Sequence, residues 1–313
     1  MYNALMNWFF IAILAPIFWS VNTHFDKFIL SKYNKKEKGV EAVFLFSTLF
    51  SALFAIGLFV FKHNEIILYS DFHNFIFFLI PGIFNALGFY FYLQSLKTEE
   101  SSVVVALFQM TPVFAYVLSY LILGEVLTQN QIFASILILI GASILSFSLE
   151  ENKKIVIKKR VIGFISLSAL FFASNDVLFK TFAIHQGSFT TSLFWQHIGI
   201  FIAGVCFFII LKDHRADFIE RLKENHFKLF ILNSFNELFY VLGNLISNLA
   251  TLFAPVALVL VVNTYQTVFT FILGILLTLF LPQIITEKTS KRHLAQKILA
   301  IVVIIIGSYF LYY

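Results

Sequence analysis

Asn233, Asn236, Glu237, Tyr240, Asn244 and Asn248 punctuate an otherwise apolar stretch. At 100° per residue they share about 120° of a helical face. A carboxylate among amides on such a face can bind a cationic group or carry a proton, and the amides can both give and accept hydrogen bonds. Asp176, preceded by Asn175 and followed four residues later by Lys180, and Asp26, four residues after Asn22, lie in similar apolar surroundings. Trp19, Asn22, Thr23 and Asp26 share one helical arc. So do Phe172, Asn175, Asp176 and Phe179; Asn263, Gln266, Thr267 and Thr270; Gln109, Pro112 and Tyr116; and Asn85, Gly88 and Tyr92. An ionisable group held in a bilayer costs at least about 2.5 kcal/mol, which makes each of these acids a functional candidate. Asp176 and Lys180 have the i,i+4 spacing of an intrahelical ion pair. Trp195, Gln196 and His197 form a further cluster, in which Trp195 suits a membrane-interface belt or a binding aromatic, and His197 is the group that could titrate near neutral pH. The candidate binding set is therefore Trp19, Asn22, Asn85, Gln109, Asp176, Trp195, His197, Asn236, Glu237, Tyr240, Asn263 and Gln266.

The elements that hold these side chains follow from composition. The 313 residues are 59% hydrophobic and only 12% charged, with a mean hydropathy of +0.87. A soluble domain carries about 25% charged residues, so a water-soluble globule is excluded. Runs of about 20 apolar residues recur, each long enough to cross a bilayer as a helix. Ten spans can be drawn, near residues 8–30, 40–61, 72–95, 101–123, 128–149, 161–184, 190–211, 227–249, 254–281 and 294–312. A transmembrane barrel would instead alternate with period two, and stretches such as 298–306 are continuously apolar. The expected fold is an all-α polytopic membrane protein. A single cysteine, Cys206, excludes an intramolecular disulfide and a cysteine metal site. No HExxH, GxSxG, GxxxxGK[ST] or GxGxxG pattern occurs, so an enzyme, an ATP-driven pump and a bound cofactor are not expected.

Charge orients the spans. Lys32, Lys35, Lys36 and Lys38 follow the first; Lys97 follows the third; Lys153, Lys154, Lys158, Lys159 and Arg160 follow the fifth; Lys212, Arg215, Arg221, Lys223 and Lys228 follow the seventh; and Lys288, Lys291, Arg292 and Lys297 follow the ninth. The alternate links hold only Lys62. The positive-inside rule then makes the basic links cytoplasmic and both termini extracytoplasmic in a cytoplasmic membrane. The first span reads as an N-out signal anchor, since no basic residue precedes it. The net charge of +5 faces a lipid leaflet and is no nucleic-acid footprint. Residues 212–228, with Phe218, Ile219 and Leu222 on one face, suit either an interfacial helix or a solvated loop.

The two halves echo each other. Phe18, Asn22 and Lys27 match Phe171, Asn175 and Lys180; Phe84, Asn85 and Leu87 match Phe235, Asn236 and Leu238; Val113 and Phe114 match Val268 and Phe269; Ala134 and Gly141 match Ala300 and Gly307. Residues 1–149 and 161–313, joined by the basic linker 150–160, thus form two five-helix units. An odd number of spans per unit forces opposite orientations, and an inverted repeat places a substrate site near the midplane between the halves. The sequence reads as a transporter.

The run Gln109-Met110-Thr111-Pro112-Val113-Phe114, then Leu123-Gly124-Glu125 and an apolar span ending Ile140-Gly141, resembles the EamA module of the drug/metabolite transporter superfamily. Ala254-Pro255-Val256-Ala257 through Gln266, and Ser174-Asn175-Asp176 with Lys180, resemble its second copy. The resemblance implies a ten-helix secondary carrier, monomeric or homodimeric, that moves a small metabolite by alternating access. The acids, amides and aromatics suit an amino acid or a small amine, with protons as candidate coupling ions. A lipid-linked-sugar or amphiphile flippase of the same fold is the alternative, and an intramembrane enzyme a remote one. A reporter active only in the cytoplasm, fused after Tyr313, is expected to stay silent; strong activity there would reverse the orientation.

Overall fold

The computed structural model describes residues 8–33, 40–68, 72–98, 101–146, 159–185, 187–211, 215, 219, 226–280 and 291–312. Most of the basic links, including residues 34–39, 151–158, 220–225 and 281–290, and nearly all of the amphipathic 212–228 segment lie outside them. Among the described residues every regular element is a helix, with no strand. After a helical turn at residues 8–12 come α1 (Leu14–Tyr33), α2 (Val40–Lys62), α3 (Phe72–Thr98), α4 (Ser101–Phe108), α5 (Thr111–Leu123) and α6 (Gln129–Ser146). The second series is α7 (Lys159–His185), α8 (Phe189–Ile210), α9 (His226–Thr251), α10 (Val256–Asn263), α11 (Gln266–Phe280) and α12 (Lys291–Tyr312).

Nine segments among the described residues are long and apolar enough to cross a membrane. The expected eighth span is not one of them. Helix α9 has 26 residues, about 39 Å at 1.5 Å per residue, which is ample length. Its amides and Glu237 make it less apolar than most of the other nine. The protein is an all-α polytopic membrane protein.

Two of the spans are broken, at corresponding places. Between α4 and α5 the α-helical ladder gives way to tighter bonds, from Gln109 N–H to the Ala106 carbonyl (3.4 Å) and from Met110 N–H to the Leu107 carbonyl (3.1 Å). Pro112, in the first turn of α5, has no N–H to offer the Phe108 carbonyl. The Thr111 hydroxyl donates to that carbonyl instead, at 2.7 Å. Between α10 and α11 the same tightening runs from Thr264 N–H to Val261 O (3.2 Å) and Tyr265 N–H to Val262 O (3.0 Å). No proline causes it. The Thr264 and Thr267 hydroxyls bond back to the carbonyls of Val261 and Thr264, a competition with the helical ladder that short hydroxyl side chains favour.

The helices of the two series interlock. Helix α1 packs on α9 and α11, and α7 packs on α3 and α5; α2 packs on α8, α5 on α10, and α6 on α12. The α6–α12 seam is reciprocal: a Cβ on Gly141 would meet Ile304 and the Ala300 carbonyl, and one on Gly307 would meet Ile138 and the Ala134 carbonyl. Helix α3 also lies against α8 closely enough that a Cβ on Gly82 would strike the Gln196 carbonyl, and one on Gly199 the Leu79 carbonyl. The corresponding pair, α2 and α9, touches only lightly.

A buried ion pair ties α7 to the segment after α5. Lys180 Nζ donates to Glu125 Oε1 at 2.5 Å and to the Ala254 carbonyl at 2.7 Å. The other Glu125 oxygen accepts from Val256 N–H at 2.8 Å. Gly124, at φ +67°, makes the left-handed turn that brings Glu125 there. Glu125 thus joins three separate pieces of chain.

Two stability predictions follow from this packing. Gly82→Leu is expected to destabilise detergent-solubilised protein by about 1–3 kcal/mol through overpacking. Gly57→Ala, where nothing lies within 4 Å, is expected to be neutral or to stabilise by up to about 1 kcal/mol, because alanine is the better helix former. Thermal melts of the two variants check this, and equal losses would contradict the α3–α8 contact. Lys180→Met is expected to cost about 3 kcal/mol by stranding Glu125, and adding Glu125→Gln to recover part of that loss.

Candidate functional site

Asn236 is the hub of the polar face of α9. Its side-chain carbonyl accepts from Asn22 Nδ2 at 2.7 Å, and its own Nδ2 donates to Asp26 Oδ1 at 2.6 Å. Beside it Glu237, 7% exposed, accepts a hydrogen bond from the Ser47 hydroxyl of α2. Helices α1, α2 and α9 therefore bring two acids and two amides together.

A second network lies toward the other end of the bundle. Asn248 Nδ2 donates to Gln196 Oε1 (3.1 Å), Gln196 Nε2 to Asn175 Oδ1 (2.7 Å), and Asn175 Nδ2 to Asp176 Oδ1 (2.8 Å). Each amide accepts at one end and donates at the other, so the chain polarises toward the Asp176 carboxyl. Tyr240 joins the two networks. Its hydroxyl meets the side chains of Asn85 and Asn244, and the charges of both Glu237 and Asp176 act on it. Phe89 lies beside its ring, with centroids 6.1 Å apart. One tyrosine thus stands between two acids that are 61 positions apart in the chain.

The remaining candidates divide. Trp19 Nε1 donates to the Tyr240 carbonyl at 3.3 Å, and the indole packs where a Cβ on Gly243 would stand. Gln266 Nε2 reaches Thr23 Oγ1 at 3.1 Å, and Asn263 Nδ2 reaches Ser247 Oγ at 2.7 Å. All three brace the networks or the helix break. Gln109 stands at the α4–α5 break and joins neither network among the described residues. Trp195 is turned away: its indole donates to the Ile67 carbonyl at 3.0 Å and packs edge-on to Phe75, holding the end of α8 rather than facing the acids. His197 lies against the Phe54 ring at 4.5 Å, 2% exposed.

The Asp176–Lys180 spacing does not become an ion pair. Lys180 points to Glu125, and Asp176 is held by Asn175. Residues that the sequence reading passed over are Ser47 and Glu125. Ser47, Thr48 and Ser51 are the polar cluster of a span that is otherwise almost wholly apolar, which is the signal that could have placed α2 at the site. Glu125 was legible only as part of a motif, since a loop position gives no direction.

Between α2 and α9 lies a cavity of about 30 Å³ lined by Phe46, Leu49, Phe50, Leu53, Asn233, Ser234 and Glu237, room for about one water. A wider apolar groove of about 350 Å³, lined by Phe50, Leu53, Phe54, Gly57, Leu58, Phe61 and Leu238, adjoins it. No group of three or more His, Cys, Asp or Glu side chains able to hold a metal occurs among the described residues.

Comparison with known proteins bears on the same helices. Residues 6–147 match the model of the EamA-like transporter family. An uncharacterized transporter of Clostridium kluyveri is 30% identical over 144 residues, which make up 46% of this chain and 44% of that protein. The match thus spans less than half of the relative's length. A crystal structure of a protein 13% identical in sequence superposes with a TM-score of 0.59 over 97% of each chain, a likeness that carries the fold alone. The match in residues 6–147, somewhat less than half of the chain, makes that part of this membrane protein similar to the EamA-like transporter family.

Proposed function

We propose that the chain is a secondary transporter of a small polar metabolite, of the amino acid or small amine class, working by alternating access in a cytoplasmic membrane with both termini outside. Ten spans form two inverted five-helix repeats, residues 1–149 and 161–313, and the substrate binds where the polar faces of α1, α3, α7 and α9 converge. The observation that carries this reading is an asymmetry. The α3–α8 contact is closed on glycines, whereas its counterpart α2–α9 is splayed beside Glu237. Two equivalent seams in unequal states are what rocking one half against the other requires. The reciprocal α6–α12 seam, which relates Gly141 to Gly307, supplies an axis about which the halves can exchange those states. The paired helix breaks at 109–110 and 264–265 support the same reading, because interrupted spans in corresponding positions mark transporter sites.

Glu237 then governs transport by binding a cationic group or by carrying a proton across. A second reading, a flippase for an amphiphile, is favoured by the apolar groove along α2 that adjoins the cavity beside Glu237. Under it the substrate enters from the lipid and not from water.

Glu237→Gln keeps the shape and the Ser47 hydrogen bond while removing the charge. Purified Glu237→Gln protein is expected to melt within a few degrees of the parent, while uptake into proteoliposomes falls at least tenfold or loses its pH dependence. Uptake equal to the parent's at every pH would remove Glu237 from the mechanism.

A further inference from the structure

Resting on the transporter reading, we infer that the substrate is an organic amine without a carboxylate, and that Asp26, Glu237 and Asp176 form one cation site around Tyr240. The structure separates two substrate classes that the sequence leaves together. An amino acid needs both an acid for its ammonium group and a positive or strongly donating group for its carboxylate. The acids are gathered along α9: Asp26 bonds Asn236, the neighbour of Glu237, and Asp176 is tied to Asn248 through Asn175 and Gln196. Among the described residues no counter-charge pairs with them. The buried lysines among the described residues are Lys180 and Lys297. Lys180 is held by Glu125 and the Ala254 carbonyl. Lys297 caps the end of α6 through the Leu145 carbonyl and lies over the Phe271 ring at 5.9 Å.

The histidines do not replace them. His24 Nε2 donates to the Thr270 carbonyl at 2.9 Å, and His197 packs on Phe54. Half-helix N-termini often bind carboxylates, but the amides of Val113 and Phe114 are both spent on the Met110 carbonyl, and that of Thr267 on Thr264. Among the described residues no basic side chain lies within ion-pair distance of Asp26, Asp176 or Glu237. A substrate carboxylate placed there would face three acids and, among the described residues, no cation paired with them, a like-charge arrangement that burial strengthens. An ammonium group meets those acids together with the faces of Tyr240, Phe89 and Trp19, which attract cations.

Matched pairs that differ only by the carboxylate test this directly: tyramine with tyrosine, agmatine with arginine, and putrescine with ornithine. Binding to the full-length purified protein is read by thermal shift, and transport separately by uptake into proteoliposomes. At least one amine is expected to bind ten times or more tighter than its amino acid. Asp176→Asn and Glu237→Gln are each expected to weaken that amine at least tenfold, and Glu65→Gln, a surface acid paired with Lys62, to leave it unchanged. An amino acid binding as tightly as its amine would overturn the inference and leave the transporter reading standing. So would binding of no amine at millimolar concentration. Tight amine binding without any uptake would instead overturn the transporter reading and leave the cation site standing.

Discussion

A carboxylate carried into an apolar bundle costs several kcal/mol unless hydrogen bonds, a cation or a proton offset it. This protein carries Asp26, Asp176 and Glu237 there, and much of its interior is arranged around them. Asn236 reaches Asp26, Ser47 reaches Glu237, and Asn175 reaches Asp176, each from within the bundle. These contacts use donors of modest strength. The ammonium group that could neutralise an acid outright, Lys180, is drawn away to Glu125. Asp176 lies one helical turn from that lysine, yet it is Glu125 that Lys180 bonds, and Asp176 is held by Asn175 instead.

The Glu125–Lys180 pair takes over a different task. It couples the end of the first half's broken span to α7 and to the start of α10. A buried pair with additional hydrogen bonds can hold a defined arrangement even where its net contribution to stability is small. The same end of the bundle is filled by the apolar cluster around Trp8, Ala115, Val177, Ala254 and Leu258. At the opposite end, α2 and α9 meet chiefly through Ser47 and Glu237. One end is thus closed by charge and packing, the other by a hydrogen bond beside a small cavity.

Much of this was legible in the chain. Hydrophobic length gave the helices because the bilayer imposes a minimum on each span, and the polar arc of α9 gave its inward face because amides cannot turn to lipid. Ala134, Gly141, Ala300 and Gly307, which the sequence matched across its two halves, are the small residues at which α6 and α12 approach. Long-range partners were not legible. Whether Lys180 bonds Asp176 or Glu125 depends on where the turn at Gly124 aims a side chain, and spacing along one helix favoured the wrong choice. Trp195 was ambiguous for a similar reason: a large amphipathic ring serves a belt or a site equally well, and its bond to the Ile67 carbonyl is a long-range partner that spacing does not reveal.

The central claim is that the polar face of α9 lines a pathway reached by water. Cys206, exposed on the outside of α8, can be replaced by serine to give a cysteine-free background. Single cysteines at Asn244 and Asn248 on the polar face, and at Phe235 and Leu238 on the exposed apolar face, can then be challenged in proteoliposomes with a membrane-impermeant thiol reagent. The account predicts that the polar-face cysteines are labelled and protected by a transported amine, and that the apolar-face cysteines are not labelled. Labelling confined to Phe235→Cys and Leu238→Cys, or absent from both polar-face positions, would contradict it.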